Sequence, residues 1–95
     1  VMIDGGSGVI LNMTNNTVSN LTRTGTTGTL RGIRFVSPTT GNISNNLVEN
    51  ISHTTAASTG GIDGIYGLSS SVDVTINNNI IRNLSTPTTG TINGI

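Results

Sequence analysis

The sequence predicts an all-β chain coiled into a parallel β-helix (β-solenoid) of about three rungs, with roughly 30 residues and three short strands per rung. Three observations lead there. Helix formers are scarce while β-branched and turn residues dominate, two blocks recur in fixed order, and apolar residues alternate inside those blocks.

Composition narrows the field first. Thr, Asn, Gly and Ser make up 53 of the 95 residues, while 8% are charged and 2% aromatic. Four arginines balance Asp4, Glu49, Asp63 and Asp73, so the formal charge is zero. A chain without a basic surface has nothing to neutralise phosphates, which argues against nucleic acid as a partner. No apolar run reaches the ~20 residues of a membrane helix, so membrane insertion is not expected. Glycine follows no three-residue period, which excludes collagen. The absence of cysteine removes disulfide frameworks, cysteine-based zinc sites and thiol nucleophiles.

Register separates an all-β fold from low-complexity disorder. Asn15-Asn16-Thr17-Val18-Ser19-Asn20-Leu21-Thr22 returns as Asn45-Asn46-Leu47-Val48-Glu49-Asn50-Ile51-Ser52 and again as Asn78-Asn79-Ile80-Ile81-Arg82-Asn83-Leu84-Ser85, at offsets of 30 and 33 residues. Met13, Ile43 and Ile76 stand two places before each Asn pair. A second block reads Ile3-Asp4-Gly5, Leu30-Arg31-Gly32, Ile62-Asp63-Gly64 and Ile92-Asn93-Gly94, and three copies continue into Ile33, Ile65 and Ile95. Residues 1–95 therefore read as one β-solenoid segment, with rungs at about 1–29, 30–61 and 62–91 and the start of a further rung at 92–95. The chain opens within one block and stops at Ile95 within another. That is the pattern of a piece of a longer array, or of open ends that meet in a filament.

Inside a rung, residues 62–68 place apolar groups at 62, 65 and 68 with glycines between them. Residues 72–76 put Val72, Val74 and Ile76 on one face, and 79–84 form a third short run. Such strands cannot bury a face alone, but coiling lets each pair in parallel with its counterpart one turn later, at ~4.8 Å. Sequence columns then become ladders. Met13/Ile43/Ile76, Val18/Val48/Ile81, Leu21/Ile51/Leu84, Ile3/Leu30/Ile62/Ile92 and Ile33/Ile65/Ile95 are expected to point inward. The columns Asn15/45/78, Asn16/46/79 and Asn20/50/83 stack amide on amide at turns, where a side chain with both donor and acceptor satisfies its neighbours and tolerates a left-handed backbone. Charges fall in columns too: Asp4/Arg31/Asp63 followed by Asn93, and Glu49 before Arg82. Arg34 aligns with Tyr66 as a candidate cation–π pair.

The line Ile-x-Asn-Asn-x-Ile-x-Asn, a polar loop and then Gly-Ile resembles the repeat of right-handed parallel β-helix proteins of the pectate-lyase-like type. The resemblance covers essentially the whole chain. It implies three sheets joined by turns, one turn carrying stacked asparagines. The Gly-Ile block would be the first sheet, Val72–Ile76 the second and the run after the Asn pair the third. On function it is nearly silent, because that family includes polysaccharide lyases and hydrolases, phage tail spikes and adhesins.

The residues that invite a chemical role have structural readings beside them. Asp4 and Asp63 could be a catalytic or calcium-binding pair, but Arg31 stands between them and neutralises them, and Asp73 falls on another strand. His53 is alone in a polar loop with no second ligand. Asn-x-Ser/Thr sequons at Asn12, Asn15, Asn20, Asn42, Asn50 and Asn83 follow from composition. The threonines of residues 22–29 are not matched on other rungs as an ice-binding array would need. Gly5-Gly6-Ser7-Gly8 lacks the helix and Lys-Ser/Thr of a phosphate loop.

No catalytic residue, metal ligand or cofactor site is assigned, and the chain is not expected to be an enzyme. The expectation is a structural repeat segment, either an adhesin stalk or an extracellular filament, at the cell surface or outside a bacterial cell. Its partners would be adjacent rungs or further copies, and surface glycans. The alternative is a carbohydrate-binding or carbohydrate-processing module with Arg34, Phe35 and Tyr66 as contacts over the first sheet, or a phage tail-spike segment.

Overall fold

The computed structural model describes residues 3–5, 10–68, 73–87 and 89–95, and every regular element among them is a β-strand. The first rung holds β1 (Ile3–Gly5), β2 (Ile10–Thr14) and β3 (Thr17–Arg23). The second holds β4 (Leu30–Val36), β5 (Thr40–Ser44) and β6 (Leu47–His53). The third holds β7 (Ile62–Leu68), β8 (Asp73–Asn77) and β9 (Ile80–Ser85), and β10 (Ile92–Asn93) opens a fourth. The strands assemble as three sheets, β1-β4-β7-β10, β2-β5-β8 and β3-β6-β9, with every pairing parallel. This is the predicted parallel β-helix, with the blocks assigned to sheets in the predicted order. Val72 and the stretch 6–8 lie outside the described residues.

Register follows the repeat with one correction. From the first rung to the second a single offset holds in all three sheets, as in Ile10↔Thr40, Met13↔Ile43 and Leu21↔Ile51. Under that offset Ile3 pairs with Ile33 and Asp4 with Arg34, not with Leu30 and Arg31 as the block alignment suggested. The ambiguity is physical. Leu30-Arg31 and Ile33-Arg34 both offer an aliphatic residue followed by a cation, so Ile3-Asp4 matches either, and the other two sheets decide the choice. The later pairings Arg31↔Asp63 and Asn93↔Asp63 stand as expected.

The interior is a thin aliphatic column along the axis. Met13, Val18, Ile33, Ile43, Val48, Ile51, Ile62 and Ile65 are buried, with Leu21, Leu30, Ile76, Ile81 and Leu84 packed against them. Removal of this surface from water is the main favourable term holding the rungs together. Ile92 and Ile95 continue two inward columns in sequence, yet both are exposed.

Two kinds of residue shape the corners. Asn15, Asn45 and Asn78 have φ of 58°, 55° and 52°, in the left-handed region that asparagine enters more readily than most residues. Their neighbours Asn16, Asn46 and Asn79 form a ladder. Asn16 Nδ2 donates to Asn46 Oδ1 and Asn46 Nδ2 to Asn79 Oδ1, each at 2.9 Å. The second hydrogen of each amide reaches back, Asn46 to the Met13 carbonyl and Asn79 to that of Ile43, both at 2.8 Å. Asn20, Asn50 and Asn83 combine both traits, with positive φ and amide-to-amide bonds of 3.4 and 3.1 Å. Amide stacking thus holds for two of the three asparagine columns, while Asn15/45/78 owes its recurrence to backbone conformation.

Candidate functional site

The first sheet carries a polar cluster built on one column of its outer face. Arg31 on β4 pairs with Asp63 on β7, and Asn93 on β10 follows. Arg31 Nε donates to Asp63 Oδ2 at 3.1 Å, and Asn93 Nδ2 donates to Asp63 Oδ1 at 2.9 Å. Each carboxylate oxygen therefore accepts one of these bonds, on a side chain only 10% exposed. These two bonds tie Asp63 to the rungs on either side of it. Strand register places Asp4 beside Arg34, so Asp4 and Asp63 do not flank one arginine as expected.

The predicted cation–π pair is also reassigned. Tyr66 stands opposite Arg34 in register, but the guanidinium over its ring is that of Arg31, with Cζ 4.1 Å from the ring centroid. Arg31 lies three residues back along the strand and reaches the ring with its long stem, so one arginine serves both Asp63 and Tyr66.

Phe35 is not a surface contact. It is 4% exposed and belongs to the core. Its partner in the next rung is Gly67, where a Cβ would sit 2.4 Å from Phe35 Cζ. The missing side chain makes room for the ring. Of the three contacts expected for a sugar over the first sheet, one is thus inside the molecule and Tyr66 is covered by Arg31.

Elsewhere, Arg82 Nε donates to Glu49 Oε2 at 2.7 Å, the expected second charged column. His53 ends β6 and is buried, not exposed in a polar loop. Its Nε2 lies 3.1 Å from the Gly61 carbonyl, which makes Nε2 the protonated nitrogen, and its Nδ1 has no hydrogen-bond partner. The loop after it packs on the loop of the preceding rung. Thr54 N donates to the Arg23 carbonyl and Thr59 N to that of Thr26, while the Thr55 hydroxyl donates to Thr24 O. Among the described residues no three His, Asp or Glu side chains converge on a metal position.

A feature absent from the sequence reading lies on the outer face of the second sheet, a shallow groove of about 150 Å³. Ile10, Asn12, Thr40, Asn42, Asp73 and Thr75 line it. Register aligns them as Ile10↔Thr40↔Asp73 and Asn12↔Asn42↔Thr75. Its sequence signal was the alternation of β2, β5 and β8, which puts these residues opposite the inward set.

No protein-family profile, curated protein or solved structure matches this chain.

Proposed function

We propose that the chain is a structural segment of an exported β-solenoid protein, a rod at the surface of a bacterial cell or outside it, as an adhesin stalk or a filament. The observation that carries this reading is where the polar side chains are spent. Asn16–Asn46–Asn79, Arg31–Asp63–Asn93 and Glu49–Arg82 all bond along the axis from one rung to the next. Side chains consumed in this way fix register and resist sliding of rungs, which is what a rod needs and a catalytic cleft does not. In this reading the chain catalyses nothing, and its partners are neighbouring rungs or further copies. We further assign it to the right-handed, pectate-lyase-like β-helices, on the three-sheet rung and the stacked asparagines.

Electron microscopy and fibre diffraction of the native, undenatured protein test the reading. Extended rods or filaments with an axial repeat near ~4.8 Å are expected. Compact particles of a single short solenoid, with no tendency to extend, would sink it.

A further inference from the structure

Charge pairing isolates one acid. Asp63 is tied to Arg31 and Glu49 to Arg82, while Asp4 lies beside Arg34 in strand register. Arg23 folds over its own loop at the surface, with Nε donating to the Thr27 carbonyl at 3.0 Å. Asp73 is exposed, has neither ion pair nor hydrogen bond, and sits in the groove of the second sheet.

The rest of that groove is equally unspent. Asn12 and Asn42 are register neighbours, as Asn16 and Asn46 are, yet no amide-to-amide bond joins them. Thr40 and Thr75 make no side-chain hydrogen bond either. The groove thus offers a carboxylate, two amide carbonyls and two hydroxyls, all able to accept, along with the amides' own donors. At its rim stands Ile10, 78% exposed, on the same column as Asp73.

We propose that this groove binds a primary alkylammonium group. An ammonium has three N–H donors and no acceptor, which matches a carboxylate flanked by hydroxyl and amide oxygens. Its alkyl stem lies against Ile10, covering apolar surface that otherwise faces water. The size agrees. A volume of about 150 Å³ suits a head group and short stem and is below the ~300 Å³ of drug-sized pockets. An anion is disfavoured by Asp73. A divalent metal would want more carboxylates than the one present. The inference does not rest on the structural reading above, since a rod can carry such a site or lack it.

The test is a titration of the ¹⁵N-labelled chain at constant ionic strength with n-butylammonium, Nα-acetyl-lysine amide and the neutral isostere n-butanol, with methyl glucoside and calcium chloride as further probes. Both amines should shift the Asn12 and Asn42 side-chain amides and the Gly41 backbone amide, with dissociation constants on the order of millimolar. Butanol should leave them in place. Asp73→Asn and Asn42→Ala should each weaken binding about tenfold or more with an unchanged melting midpoint, because both residues point outward. Tighter binding of the lysine derivative than of butylammonium would assign the site to a protein partner's lysine, and the reverse to a free amine. The proposal is overturned if neither amine shifts these amides up to ~50 mM. Equal shifts from butanol or methyl glucoside would overturn it too, since the groove would then read hydroxyls. So would stronger shifts from calcium chloride, which would make it a metal site.

Discussion

Replacing Asn46 by alanine tests whether the asparagine ladder holds the rungs together or merely accompanies the turn. Asn46 is 1% exposed, and four hydrogen bonds end on its side chain. Oδ1 accepts from the backbone N and the Nδ2 of Asn16, both at 2.9 Å, and Nδ2 donates to the Met13 carbonyl at 2.8 Å and to Asn79 Oδ1 at 2.9 Å. A typical intramolecular hydrogen bond contributes about 1 kcal/mol net, and a buried group stripped of its partner costs about 1–3 kcal/mol. The groups do not suffer equally. Asn16 is half-buried, so water reaches part of what it loses, and Asn79 Oδ1 keeps the backbone N–H of Asn46 at 3.0 Å. The carbonyl of the buried Met13 bears the larger penalty. Together these give a loss of about 3–4 kcal/mol. A chain of this length has a total stability of about 5–14 kcal/mol, so the loss is a large fraction of it.

The neighbouring position supplies the control. Asn45 is exposed at φ 55°, so Asn45→Ala should cost only the left-handed backbone penalty of about 1 kcal/mol, and Asn45→Gly should cost almost nothing. Asn46→Gly should cost at least as much as Asn46→Ala. Urea unfolding followed by circular dichroism, read as midpoint shifts at constant slope, measures all four. The reasoning fails if Asn46→Ala loses less than about 1.5 kcal/mol, or if Asn45→Ala is as damaging as Asn46→Ala.

Two further outcomes follow from close packing and charge. Gly64→Ala would bring a Cβ to 2.6 Å from the Gly94 carbonyl and 2.7 Å from Ile81 Cγ2, whereas a Cβ at Gly94 meets nothing within 4 Å. The first substitution should cost about 2 kcal/mol or more and the second less than about 0.5 kcal/mol, so equal thermal midpoints would contradict the stacking. Arg31→Glu would set a second carboxylate against Asp63 and uncover the Tyr66 ring, costing about 2–4 kcal/mol at low salt and less as salt rises. Unchanged stability at low salt would rule out the Arg31–Asp63 tie.

The sequence made the sheets legible because a solenoid writes its geometry as a period. Each rung supplies the next rung's pairing partner, so Met13/Ile43/Ile76 or Val18/Val48/Ile81 can be read as contacts without any knowledge of the path between them. Where a block resembles itself within one strand, that advantage vanishes. Ile3-Asp4 fits Leu30-Arg31 as well as Ile33-Arg34, and only the common offset of the other sheets resolves it. Phe35 was legible but unread, since it stands two residues beyond Ile33 and shares its inward face. The glycine column was missed for a similar reason. Gly28, Gly60 and Gly90 each precede the first strand by one intervening residue. A Cβ at Gly60 would lie 2.3 Å from the Gly28 carbonyl, and one at Gly90 2.1 Å from that of Gly60. Gly60 also lies against the buried His53 ring, with Cε1 2.5 Å from where a Cβ would stand, so the chain closes over a side chain that the sequence placed in a polar loop.

The candidate site was not legible, and the reason lies in the asparagines themselves. Asn12/Asn42 and Asn16/Asn46 recur at the same offset, pair in parallel rungs, and differ by only four positions in the chain. Within the first two rungs residue identity does not separate them, and only the third rung differs, with Thr75 in one column and Asn79 in the other. What separates them is local geometry. At Asn16 and Asn46 the chain leaves one sheet for the next, the backbone N–H of Asn16 loses its ladder partner, and the amide turns along the axis to supply one. At Asn12 and Asn42, inside β2 and β5, the backbone is already paired across the strands, so the amides face outward with nothing to satisfy. The same residue is therefore structural at a corner and available on a face. That distinction turns a repeat built for register into a surface with groups left over for a ligand.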